Sequence, residues 1–292
     1  MTESYLQVIR EHASPLDLQP TDEKPKLGRL PNIKAVIFDI YGTMLMSGSG
    51  EVGTAATENH HFEAIQTTLQ AHGVDTTNLP ADFRLEATIR QHHDLAREAD
   101  IEFPEVDILA VWKDALAECA AAGQLNVDQL DLDYRQVALE YECRVNPVWP
   151  MPNLENCLDA LRGEAILGVI SNAQFFTPLL FPALMLRTLD DMGFKGNIQF
   201  FSYKFRDAKP SLSMFNAAID ELKKEGISAQ ETLYLGNDML NDISTAAKCG
   251  MKTALFAGDA RSLRHRQGDS RVQGCSPDLV LTDLSQLANC IL

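Results

Sequence analysis

The sequence predicts an α/β protein: a doubly wound parallel sheet with an all-helical domain inserted after its first strand. Three observations predict it. Short apolar runs recur along the chain and end on polar residues. Helical patterns lie between those runs. One long stretch carries helical patterns alone.

Residues 1–30 read as an N-terminal extension. A short helix is expected from about Ser4 to Glu11, and Pro15, Pro20 and Pro25 then interrupt regular structure. The folded body begins near Pro31. Residues 34–40 (KAVIFDI) form an apolar run holding the carboxylate Asp39, and the turn Tyr41-Gly42-Thr43 follows. Such a run suits a strand buried on both faces. Residues 165–171, 197–202, 232–236, 252–256 and 278–281 read the same way.

Helices are expected between them. Leu154, Leu158 and Leu161 share one face. Ser211 is placed to cap a helix carrying Phe215, Ala218, Ile219 and Leu222, with Gly226 past its end. Ile243, Ala246 and Ala247 face one way before Gly250. Residues 54–148 break the alternation. They show helical patterns at 62–71, 85–96, 106–120 and 127–141, punctuated by Gly73, Pro80, Pro104 and Gly123. This defines a helical domain over 54–148 and a core over 31–53 plus 149–292, with hinges near 48–53 and 146–152.

Composition narrows the function. The chain has 292 residues, 45% hydrophobic and 23% charged, which excludes a disordered protein. With 25 Lys plus Arg against 41 Asp plus Glu, the net charge is −16. That balance opposes nucleic-acid binding and a polybasic membrane surface. No secretory signal is visible, and no apolar run approaches the ~18 residues of a membrane span. The six cysteines form no CxxC and read as reduced thiols in a cytoplasmic protein.

In an open parallel sheet, ligands bind beyond the carboxyl ends of the strands. Those ends carry Asp39, Ser171-Asn172, Lys209 (through a loop) and Asp238 with Asp242. Asp39 is suited to act as nucleophile, metal ligand or both. Three carboxylates together repel one another unless a hard cation such as Mg²⁺ neutralises them. Lys209, Ser171 and nearby backbone amides then suit a phosphate or carboxylate. Singly each feature is a common turn or helix face. Their shared sheet edge carries the inference.

The order Phe38-Asp39-Ile40-Tyr41-Gly42-Thr43, Ser171-Asn172, Lys209-Pro210 and Gly236-Asn237-Asp238-x-x-x-Asp242 resembles the haloacid dehalogenase-like (HAD) superfamily, over residues 34–257. Residues 1–30 lie outside the resemblance. It implies a Rossmann-like core with a helical cap, and Asp39 as a nucleophile that forms a covalent aspartyl intermediate. Ser171 and Asn172 would bind the transferring group, with Tyr41 and Thr43 beside them. Lys209 would neutralise the intermediate. Asp39, Asp238 and the main-chain carbonyl of Tyr41 would hold Mg²⁺, and Asp242 would support the lysine or the metal's waters.

Two departures point in opposite directions. Family phosphatases carry Asp two residues after the nucleophile, to protonate the leaving oxygen. Here stands Tyr41, whose phenol has a pKa near ~10. Tyr is typical there of 2-haloacid dehalogenases, whose leaving halide needs no proton. Those enzymes work without metal, yet this chain keeps Asp238 and Asp242. Ala173 also stands where they usually have Gly. Arg84 and Arg90 are candidates for a substrate-holding cap arginine. His60-His61 and His92-His93 are candidates for the missing acid, although adjacent helical residues point about 100° apart. Phe175, Phe176 and Phe181 read as core.

The expected function is a Mg²⁺-dependent phosphatase acting on a small phosphorylated or anionic metabolite through an aspartyl-phosphate. The alternatives are a metal-independent 2-haloacid dehalogenase and a non-catalytic binding protein on the same scaffold. No nucleic-acid or membrane partner is expected, and the sequence carries no signature of oligomeric state.

Overall fold

A computed structural model describes residues 2–49 and 58–292. The chain opens on helix α1 (Thr2–His12). Strand β1 (Ala35–Phe38) and strand β2 (Leu45–Ser47) follow. Four helices come next: α2 (Glu58–Ala71), α3 (Leu85–Glu98), α4 (Ile108–Ala121) and α5 (Tyr134–Val145). Strand β3 (Val148–Pro150) leads back and pairs antiparallel with β2.

From there strands and helices alternate. The order is α6 (Leu154–Leu161), β4 (Ile166–Ser171), α7 (Thr177–Met185), β5 (Phe194–Phe201), the short α8 (Ser202–Phe205) and α9 (Ser213–Lys224). Then come β6 (Thr232–Gly236), a π-helical turn (Met239–Ser244), α10 (Thr245–Lys248), β7 (Lys252–Phe256), β8 (Leu279–Leu281) and α11 (Gln286–Ile291).

Six strands form one parallel sheet in the order β5-β4-β1-β6-β7-β8. β1 lies inside it, and side-chain alternation sends Val36 and Phe38 into one apolar cluster and Ala35 and Ile37 into another. Each face of the sheet is therefore covered, as a doubly wound Rossmann-like sheet requires. Gly168 in β4 is required by this packing, because a Cβ there would stand 2.5 Å from Ile198 and 2.6 Å from Ile37. β5 starts earlier than the sequence reading, at Phe194, and includes the exposed Lys195, Gly196 and Asn197. It is an edge strand, where polar residues meet water.

The helical pattern at 127–141 divides into a 3₁₀ turn (Val127–Gln129) and α5. Asp133 causes the break, since its carboxylate accepts from the amides of Arg135 (3.0 Å) and Gln136 (3.2 Å) and starts a new helix. Ser211 does not cap α9, which begins two residues later. Its hydroxyl donates to Asp207 and accepts from the amide of Ser213, the first residue of α9 (3.3 Å).

Helices α2–α5 bury their own apolar cluster around Trp112, Val111, Leu116, Ile65 and Leu69. Among the described residues, hydrogen bonds tie this helical insert to the sheet layer at two junctions, and Leu139 of α5 packs into the core cluster beside the sheet. At the β2–β3 pair, the side-chain carbonyl of Asn146 accepts from Ser47 Oγ (2.7 Å) and the Ser49 amide (3.2 Å). Residues 50–53 of the expected hinge, and the expected boundary at 53/54, lie outside the described residues. The second junction precedes α4. There the Ala208 amide donates to Phe103 O (2.7 Å) and the Glu105 amide to Arg206 O (3.1 Å). The Glu105 carboxylate accepts from Ser202 Oγ (2.5 Å) and Gln174 Nε2 (2.9 Å).

α1 packs between α5 and α7. The chain after it runs along the loop that follows β7. Thr21 Oγ1 donates to Ala257 O (2.6 Å), the Ala260 amide to Gln19 O (2.7 Å) and Arg261 to Asp17 O (2.8 Å). Among the described residues, no helix is long and apolar enough to cross a membrane.

Candidate active site

β4, β1 and β6 are neighbours, so their carboxyl ends lie side by side. Asp39 follows β1 directly, and its amide donates to Leu235 O of β6 (2.9 Å), which extends the ladder and fixes the residue. The Lys209 ammonium donates to Asp39 Oδ1 (2.8 Å), Asp242 Oδ1 (2.6 Å) and the Tyr234 hydroxyl (3.1 Å). All three of its protons are thereby engaged. The Tyr234 hydroxyl lies 2.9 Å from Ile170 O and 3.1 Å from Asp242 Oδ1, which ties the group to β4 as well.

The cluster is almost dry, with side-chain exposures of 4% for Lys209, 9% for Asp39 and 1% for Asp242. Burial alone would lower the Lys209 pKa, but the carboxylates of Asp242 and Asp39 outweigh it and hold the ammonium above its ordinary value. Burial pushes Asp242 up to about 6, against the pull of Lys209. Gly236 makes room for Asp242: a Cβ there would stand 2.4 Å from the Asp242 Cγ.

The other expected residues fall around this core. Asn172 grips Lys209 at both main-chain ends, accepting from its amide (2.7 Å) and donating to its carbonyl (3.3 Å). Asn172 therefore acts through Lys209. Ser171 and Tyr41 line the cleft. The Tyr41 hydroxyl pairs with Thr177 Oγ1 (2.9 Å), and burial holds its pKa far above the ordinary phenol value. Thr43 is fully buried and donates to Asn237 Oδ1 (3.1 Å), so its hydroxyl is spent on the cleft wall.

Asp238 begins the π-helical turn, accepting from the amides of Leu240 (2.8 Å) and Asn241 (3.1 Å). Its carboxylate also accepts a two-pronged pair from Arg266, with Nε at 3.0 Å and Nη2 at 2.5 Å from Oδ2. The cleft has a volume of about 200 Å³, and Arg264, Arg266, Asn237 and Asn241 line it together with the residues above.

This arrangement does not fit a divalent cation. Asp39 and Asp242 are bonded to Lys209, and Asp238 is bonded to Arg266. Among the described residues, no three His, Cys, Asp or Glu side chains are grouped as a metal site.

The candidates on the helical insert lie elsewhere. Arg84 donates to Ala81 O (3.0 Å) and Phe83 O (2.7 Å), and Arg90 is exposed on α3. His61 pairs with the Tyr141 hydroxyl (2.7 Å) and His92 with Asp114 (2.9 Å). None of these residues, nor His60 or His93, lines the cleft. Phe176 and Phe181 are core residues, and Phe175 is partly buried beneath the Arg135 guanidinium at 4.7 Å.

Sequence reasoning missed Tyr234, Arg264 and Arg266. Tyr234 left no signal, being one more apolar-looking position inside a strand. The arginines did leave one. Arg261-x-x-Arg264-x-Arg266 is a basic knot in the loop that follows a strand, in a chain of charge −16.

A doubly wound sheet with a carboxylate–ammonium–carboxylate group beyond its central strands defines a class of α/β hydrolases. Residues 33–250 match the family model of haloacid dehalogenase-like hydrolases, and the chain belongs to that family. Its fold is similar to that of the 2-haloacid dehalogenase of Pseudomonas syringae pv. Tomato DC3000. The two align at a TM-score of 0.58 with 20% identity, over 88% of this chain and 97% of that one. The L-2-haloacid dehalogenase of Xanthobacter autotrophicus aligns at a TM-score of 0.50 with 17% identity, over 88% and 97%. At such identities the likeness is one of fold. No curated protein matches the sequence.

Proposed function

We propose that the chain is a metal-independent hydrolase that removes halide from a small 2-halocarboxylate through an ester on Asp39. The observation that carries this reading is Tyr41. A leaving alkoxide needs a proton, and the residue positioned to give one is a phenol bonded to Thr177 with a raised pKa. A halide leaves as a stable anion and needs none.

In the first step an Asp39 oxygen attacks the halogen-bearing carbon. A C–O bond forms, the carbon–halogen bond breaks, and halide leaves with the electron pair. In the second step water attacks the ester carbonyl carbon of Asp39. The ester C–O bond breaks, the 2-hydroxy acid departs, one proton is released and the carboxylate returns. Lys209 donates to the Asp39 carboxylate before attack and stabilises the oxyanion of the second step. Lys209, Arg264 and Arg266 line the cleft beside Asp39, Asp238 and Asp242, so an anionic substrate meets cations there as well as carboxylates. The cytoplasm is the proposed compartment, in keeping with six unpaired cysteines.

The test is halide release from 2-chloropropionate in the presence of EDTA, with Asp39→Asn as control. Release that disappears in the variant supports the reading, and no release from the folded wild type contradicts it.

A second reading, a Mg²⁺-dependent phosphatase working through an aspartyl-phosphate, is favoured by the retention of both Asp238 and Asp242. It requires Arg266 to leave Asp238. Phosphate release from a panel of phosphate esters that depends on both Mg²⁺ and Asp39 would establish it.

A further inference from the structure

We propose that Arg266 is a built-in counter-cation: it holds Asp238 in place of a divalent ion, so the cleft reacts without metal and does not admit one. This deepens the metal-independent reading and rests on it.

Three observations point the same way. The first is geometry. Nε and Nη2 of Arg266 both reach the Asp238 carboxylate, whose side chain is only 8% exposed. Such a two-pronged pair fixes direction as well as charge. An ion approaching Asp238 meets a permanent positive charge already on its oxygens.

The second is charge. Asp39, Asp238 and Asp242 bring three negative charges to one strand edge. Lys209, Arg264 and Arg266 bring three positive ones to the same cleft. The repulsion that would otherwise call for a cation is met by side chains. A guanidinium does not titrate in the physiological range, so this balance persists where a metal's occupancy would vary with pH and supply.

The third is how firmly the arginine is held. Arg266 has φ = 52°, in the left-handed region that a residue with a Cβ adopts only where its surroundings impose it. The surroundings do so. The Arg264 amide donates to Asn237 O (3.0 Å), and the Met239 amide donates to Arg264 O (2.8 Å). Asn237 Nδ2 donates to Ser262 O (2.6 Å). The turn after Asp39 presses on the same loop, where a Cβ on Gly42 would stand 2.5 Å from Ser262 Cβ. On the far side, the backbone of Gln19 and Asp17 braces Ala260 and Arg261. The loop is therefore built to present Arg266 to Asp238. Arg266 acts through Asp238 and is a positioning residue.

The experiment measures Mn²⁺ binding to the full chain by the loss of the free-ion electron paramagnetic resonance signal. It compares wild type, Arg266→Gln, Arg266→Lys and Asp238→Asn. Wild type and Arg266→Lys are expected to leave the signal of millimolar Mn²⁺ unchanged, and Arg266→Gln to bind about tenfold more tightly or better. Wild-type binding that Arg266→Gln leaves unaltered overturns the proposal, and so does a folded Arg266→Gln that stays as silent as wild type. If Arg266→Gln does not fold, Asp238→Asn decides: wild-type binding that this substitution abolishes also overturns it, and a silent wild type supports it. Halide release is read separately. Its absence beside the expected Mn²⁺ result would refute the dehalogenase reading and leave the role of Arg266 standing.

Discussion

Lys209 has three donors and three buried partners, so removing it strands Asp39 and Asp242 without a counter-charge. Lys209→Met is expected to abolish turnover and to cost roughly 3–5 kcal/mol in urea unfolding, because breaking a buried pair leaves an uncompensated charge. Glu142 makes a different prediction. It lines a small cavity behind Tyr41, and burial pushes its pKa up to about 7. Its folded pKa lies above the unfolded one, so the folded state binds more protons between the two values. Stability is then lost as pH rises toward the folded pKa. The Tm advantage of Glu142→Gln over wild type should accordingly grow from about pH 5 to about pH 8; a constant difference would contradict this. Asp39, Ser171, Asn172, Lys209 and Asp242 were legible in the sequence because each stands at or near a strand end in chain order. Arg266 was not. Its meeting with Asp238 is 28 residues long-range and depends on a loop folding back.

At the scale of elements, glycine sets what the strand ends can hold. Gly236→Ala would drive a Cβ into the Asp242 carboxylate. It should therefore lower turnover far more than Tm, measured side by side on the same preparation. Asp133→Ala removes the side chain that starts α5 and is expected to cost about 1 kcal/mol in chemical denaturation. The buried strands β1, β6 and β7 were legible because parallel strands covered on both faces read as unbroken apolar runs. The split in the 127–141 pattern was hidden, since apolar spacing continues across it while one capping carboxylate decides the break. The start of β5 was hidden for another reason: an edge strand tolerates the Lys-Gly-Asn that reads as a turn.

For the molecule as a whole, the N-terminal segment is bound both to the helical insert and to the sheet layer that carries the cleft. Tyr5 and Ile9 of α1 are buried, and the segment after α1 braces the loop that carries Arg266. Deleting residues 1–30 is expected to lower Tm by several degrees and to weaken turnover together, measured by calorimetry and halide release; unchanged values would assign the segment no such role. The proposed chemistry forms a covalent ester on Asp39 with no metal taking part. The most direct measurement is multiple turnover of 2-chloropropionate in heavy-oxygen water with EDTA, followed by mass spectrometry of the peptide containing Asp39. Heavy oxygen is expected in the Asp39 carboxylate, because water attacks the ester at that carbonyl carbon. Turnover that places the label only in the product hydroxyl, or that stops in EDTA, would contradict it.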